Sequence, residues 1–201
     1  LVLPADLRAS ITARPVVLDG LGVADKAYDG TQTARLTGLD SVVLRDQLGD
    51  LDADELDALM RNDDVALETG GAWAKFVGNG NVGTNKLVEV GGFVLTNNGH
   101  GNYELVLPAD LRASITARPV VLDGLGVADK VYDGTRVAQL TGLGTAVLRD
   151  ELDELADDAL AALLQQDGIS LDASGAWARF VGDGNVGENK PVEVGGFALA
   201  G

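Results

Sequence analysis

The sequence predicts an α+β, strand-rich chain built from two tandem domains of one fold. Three observations predict it. Leu1 to Lys26 (LVLPADLRASITARPVVLDGLGVADK) returns unchanged as Leu105 to Lys130, and the match runs on to Gly201 without insertion or deletion. About two-thirds of the aligned positions are identical, the mark of a repeat architecture in which both copies do the same thing. Most of each copy consists of short alternating runs closed by Gly, Asp-Gly or Asn-Gly, the pattern of strands and turns. One stretch per copy instead spaces its leucines three and four apart, the period of a helix face. With 201 residues, each copy has the size of a domain with its own core. The division falls at 1–104 and 105–201, with the seam somewhere within 98–118.

The elements follow in order. Leu1–Leu3, Ser10–Ala13 and Val16–Leu18 read as extended chain broken by Pro4 and Pro15. Asp19-Gly20 and Asp29-Gly30 are turn signals, so the first third should be dominated by hairpins. Thr31–Leu39 is threonine-rich and alternating, a strand ending at Gly38. From Ser41 to Arg61 the apolar spacing predicts helix, with Gly49 separating two short segments and Asp52 or Asp54 capping the second. In the second copy Asp153 replaces Gly49 and alanines fill 156, 159, 161 and 162, which predicts a more continuous helix. Val65–Leu67, Ala72–Val77, Leu87–Val90 and Phe93–Leu95 are four short strands separated by glycine turns. Asn97–Gly101 is a loop, and Asn102–Leu107 a last strand that leads into the second copy.

Composition bounds the function. A hydrophobic fraction of 46% is too high for a disordered chain, even with a net charge of −16. That acidity argues against nucleic acid and anionic membrane as partners, because both need a basic face. No run of about 18 apolar residues occurs, which excludes a membrane-spanning helix from the sequence. The chain opens at Leu1 without a methionine or a leader, which reads as a piece of a longer protein. With no cysteine and one histidine, His100, most nucleophilic and metal chemistry has no candidate residues. An enzyme is not expected.

Certain words recur in fixed order: DKAYDG (Asp25–Gly30) and DKVYDG (Asp129–Gly134), then DDVAL, NVGTNKLVEVGGFVL and GNYELV. They resemble the YDG-type repeat domain found in bacterial surface adhesins of the filamentous-haemagglutinin-like, two-partner-secreted kind. The resemblance covers nearly all of each copy. It implies a β-grasp-like domain, here with an inserted helical segment, and an Ig-like β-sandwich is the alternative. It also implies a secreted or cell-surface location and a non-enzymatic role as stalk or spacer in cell adhesion or biofilm. The partners would be neighbouring repeats of the same chain, host or matrix glycans, or other cells' adhesins. The second copy reaches Gly201 before any GNY strand. Either the unit closes without one, or its last strand was cut away, in which case Leu1–Leu3, left over from a preceding repeat, would fill the vacancy in a neighbouring molecule by strand addition.

Each tempting motif has a plain structural reading. Tyr28, Asp29 and Gly30, with Tyr132, Asp133 and Gly134, place a phenol and a carboxylate at a turn; a buried ring and a self-stabilised turn account for them. GNGNVG (78–83) and GDGNVG (182–187) lack the following helix that a phosphate loop needs. Calcium through Asp183 and Asn185 is the alternative to a hairpin turn there, and no other cofactor is expected. Alternation puts Trp73 and Lys75 on one strand face, as it does Trp177 and Arg179. Core packing is the favoured role of the tryptophans; glycan contact through these four residues is the sharper alternative, within a second reading of the chain as a carbohydrate- or protein-receptor-binding module that uses Trp73 and Trp177 or an exposed sheet edge.

Overall fold

The computed structural model describes residues 7–201, in two compact units, Leu1–Ala117 and Arg118–Gly201. The predicted Leu1–Leu3 strand lies outside the described residues, and residues 7–13 carry no regular secondary structure. In unit 1 the strands are β1 (Arg14–Asp19), β2 (Gly22–Ala24), β3 (Lys26–Ala27), β4 (Thr33–Thr37) and β5 (Val43–Asp46). After helix α1 (Ala53–Asn62) come β6 (Ala66–Glu68), β7 (Trp73–Phe76), β8 (Gly83–Gly91), β9 (Val94–Thr96), β10 (Tyr103–Val106) and β11 (Arg112–Thr116).

Six strands form one sheet in the order β2-β4-β7-β8-β11-β3. Its two end strands are neighbours in sequence, separated only by Asp25, so the sheet must curl until its edges meet. The closing stave is β11, antiparallel to β8 and parallel to β3. Inside the curl lie Phe76, Val88 and Ile115, each no more than 1% exposed. A second, mixed sheet has the order β10-β1-β5, with β10 parallel to β1 and β5 antiparallel to it. Beside it α1 buries Leu56 and Met60 with Val16, Val65 and Tyr103 in a second apolar cluster.

Two expectations about this unit are corrected. Asp19-Gly20 does not close a hairpin, because β1 already has β5 and β10 on its two edges and β2 must pair with β4 instead. The first half of the segment expected to be helical is β5. There the β-branched Val43 and four residues of pairing to β1 outweigh the helical spacing of the leucines. Only Ala53–Asn62 is α-helix, and Asp52 caps it as expected.

Unit 2 repeats the plan with β12 (Val120–Asp123), β13 (Gly126–Ala128), β14 (Val137–Thr141), β15 (Val147–Asp150), α2 (Asp157–Gln166), β16 (Ser170–Asp172), β17 (Trp177–Phe180), β18 (Val192–Gly195) and β19 (Ala198–Ala200). Its helix is no more continuous than α1. Asp153 takes the left-handed backbone of Gly49 (φ 55° against 73°), and the strand–bend–helix pattern survives.

The units do not coincide with the sequence copies. Leu105–Ala117 belongs to the second copy by sequence, yet it supplies part of β10 and all of β11 to unit 1. In unit 2 the curled sheet is β13-β14-β17-β18, and among the described residues no strand stands where β10 and β11 stand in unit 1. The effect on burial is direct. Val90 is 6% exposed and its counterpart Val194 is 43% exposed.

Candidate functional site

The recurring words of the sequence fold into one knot per unit. Lys26 leaves β3 and its ammonium donates to the Asp29 carboxylate and to the carbonyl and hydroxyl oxygens of Thr31, the latter two at 3.0 and 2.9 Å. The same carboxylate oxygen accepts from the Thr31 N–H at 2.9 Å and its hydroxyl at 2.8 Å, an Asx turn. Unit 2 repeats these contacts between Lys130, Asp133 and Thr135, at 2.7 to 3.0 Å. Burial works against the charge of Asp29, but the Lys26 and Thr31 donors outweigh it and hold the carboxyl below its ordinary range. For Asp133, Lys130 and Thr135 bring it down to about 2. Each sequence motif contains this lysine without revealing its role; it is the centre of the knot.

The glycine-rich loop packs onto this knot. A side chain at Gly80 would meet the Thr31 carbonyl oxygen at 2.6 Å, so the close approach requires glycine. In unit 2, Asp183 Oδ1 accepts from the Lys190 ammonium at 2.7 Å, and the carbonyl oxygens of Asp183 and Asn185 accept from it at 2.9 Å. Asp183 Oδ1 is therefore turned on a cation the chain itself provides, and Asp183 Oδ2 accepts from the Asn185 side-chain amide at 3.0 Å. Lys190 first, and then Asn185, lower the Asp183 carboxyl. Among the described residues no group of three or more His, Cys, Asp or Glu side chains could hold a metal ion.

The tryptophans are not core residues. Trp73 and Trp177 are 42% and 40% exposed. Each sits across the sheet from a glycine, Gly91 or Gly195, where a Cβ would come within 2.5 or 2.6 Å of the indole. The ring packs on bare backbone, so it gains contact without burial, which is why the core expectation fails. Lys75 and Arg179 share the tryptophan's strand face as expected, their cationic groups 5.2 and 4.9 Å from the ring centroids. Both are held across the strand pair, Lys75 to Glu89 at 3.1 Å and Arg179 to Glu193 at 2.8 Å.

Residues 12–111 and 116–201 each match the family model of the YDG domain. The chain belongs to the YDG domain family. No curated protein and no solved structure matches it. Among the described residues no helix is long and apolar enough to cross a membrane.

A groove of about 680 Å³ lies in the second YDG domain, between Val127–Tyr132 and Asp183–Val192. Its walls are the counterparts of the two segments that flank β11 in the first YDG domain. Val131, Tyr132 and Val186 are 88%, 60% and 88% exposed there. The strand spans record the same gap: β8 has nine residues and β18 four, and β3 has no counterpart strand. Reading the sequence motif by motif misses this groove, because it is bounded by a relation between the copies and not by any one motif.

Proposed function

We propose that the two YDG domains are non-enzymatic structural modules of an exported bacterial adhesin of the two-partner-secreted kind, acting as spacer repeats at the cell surface. One observation carries the reading: β11 of the first domain is drawn from the sequence of the second copy. Repeats completed in this way are tied to their neighbours by backbone pairing, which suits a chain that must hold together over many copies. The β-grasp-like class belongs to the same proposal, supported by the mixed sheet β10-β1-β5 with α1 beside it. The test is surface labelling. Antibodies raised against the 201-residue chain should label intact cells of the source organism; labelling only after permeabilisation would overturn the export reading.

A second reading has its own observation. The exposed Trp73 and Trp177 each present an indole beside a cation, an arrangement that glycans can stack on. The double variant Trp73→Ala, Trp177→Ala should then lose glycan-array signal; an array on which the unaltered chain binds nothing removes this reading and leaves the spacer.

A further inference from the structure

The chain has two Asn-Gly steps, Asn79-Gly80 and Asn98-Gly99. A glycine after asparagine puts no Cβ in the way of its own nitrogen, which can reach the asparagine side-chain carbon and close a five-membered imide. Between GNGNVG (78–83) and GDGNVG (182–187) only one position differs, and there the second copy has Asp183 in place of Asn79. We propose that Asn79-Gly80 is a self-deamidation site whose product is the aspartate that the second copy encodes. The inference goes beyond the spacer reading and does not rest on it.

The surroundings of Asn79 favour the step. Its Oδ1 accepts from the Asn81 N–H at 3.2 Å and from the Lys86 ammonium at 3.1 Å. Both donors sit on the oxygen that gains negative charge when the Gly80 nitrogen adds to Cγ, and one of them is a cation. The Asn81 bond makes an Asx turn, a ring of atoms that contains both Cγ and the Gly80 nitrogen, so the two are held in one tight turn. Asn79 is exposed, which admits the base and the water that the steps need. Asn98 is the internal contrast. Its Nδ2 donates to the Tyr103 carbonyl at 2.7 Å and its Oδ1 accepts from the Tyr103 N–H at 3.3 Å, so both ends of this amide are tied to β10.

In the first step a base removes the Gly80 N–H proton and the nitrogen bonds to Cγ. The Cγ–Nδ2 bond then breaks as Nδ2 takes a proton and leaves as ammonia. Water adds to the imide at Cγ, and the bond from Cγ to the Gly80 nitrogen breaks, which restores the peptide N–H and leaves a carboxylate. The second domain carries that product in the same loop. Asp183 Oδ1 accepts from the Asn185 N–H at 3.3 Å and from the Lys190 ammonium at 2.7 Å, the counterparts of the two donors on Asn79. The close packing is kept as well: a Cβ at Gly80 or Gly184 would meet the Thr31 or Thr135 carbonyl oxygen at 2.6 or 2.9 Å. Deamidation therefore exchanges a neutral amide for an anion in direct contact with Lys86.

Peptide mapping by mass spectrometry reads the amide-to-acid conversion at each site, with the 201-residue chain held in mildly alkaline buffer at physiological temperature. Asn79 should convert more than about threefold faster than Asn98. Lys86→Met should slow Asn79 by about threefold or more and leave Asn98 unchanged, and Lys86→Arg should restore the rate. Asn79→Asp, the product made directly, should match or exceed the melting temperature of the unaltered chain. An Asn79 that outlasts Asn98, or a rate indifferent to Lys86→Met, would overturn the proposal. A loss of stability in Asn79→Asp would overturn it as well.

Discussion

Asp150 is buried at 5% exposure at the end of β15, where a bare carboxylate would be costly. It accepts from the Leu155 and Glu154 N–H groups at 2.9 Å and from the Arg118 guanidinium at 2.7 Å. Burial pushes this carboxyl up, but the donors outweigh it and hold it at about 2. The folded value lies below the ordinary aspartate value of about 3.9. Its stabilisation is therefore complete above about pH 4 and lost as the pH falls toward 2. Asp150→Asn should lower the melting temperature of unit 2 at pH 7 and flatten its dependence on pH between about 4 and 2, read by circular dichroism. Tyr103 shows the opposite sign. Its hydroxyl donates to Asp63 at 2.9 Å, and burial first, with Asp63 second, pushes it up to about 12. The neutral phenol is the folded form, so this contribution is present below about pH 10 and lost as the pH rises to about 12. Tyr103→Phe should cost unit 1 about 1–2 kcal/mol in urea unfolding.

At the level of elements, the two helices form a natural experiment. Asp52 accepts from the Glu55 N–H at 2.9 Å, and Glu55 accepts from the Asp52 N–H at 3.0 Å, a complete capping box on α1. α2 begins after Ala156 with no side-chain cap. Ala156→Asp should stabilise unit 2 by about 1 kcal/mol and Asp52→Ala should destabilise unit 1 by a similar amount, measured as shifts in denaturation midpoint. This cap was legible in the sequence, because an aspartate before an apolar helical run has a local cause. The strand β5 was not, since its partner β1 lies far back in the chain and its own leucines mimic helical spacing. The tryptophans failed for a related reason. What leaves them exposed is Gly91 and Gly195 on the next strand, and a cross-strand partner cannot be read from alternation within one strand.

For the whole molecule, the two copies were plain in the sequence and the offset between copy and domain was not. Identity shows what was copied; a periodic sequence has no internal mark for where folding starts a new unit. The consequence for stability is measurable with the chain's own probes, one tryptophan per unit. Unit 1 buries Phe76, Val88, Phe93 and Ile115, whereas in unit 2 only Ala138, Leu160, Ala178 and Asp150 are buried among the described residues. With Trp73→Phe to isolate Trp177, and Trp177→Phe to isolate Trp73, unit 2 should unfold at the lower urea concentration. Coincident transitions at low protein concentration would contradict that ranking.

The loan of β11 across the copy boundary also has a genetic consequence. A mutation in Leu105–Ala117 is written in the second copy but falls on the first domain, because this segment completes its sheet. The gene's repeat and the folded domain are out of phase, so an allele damages the neighbour upstream and spares the copy that carries it. In this chain the opening residues of the second copy answer to the domain before them, not to the copy in which they are encoded.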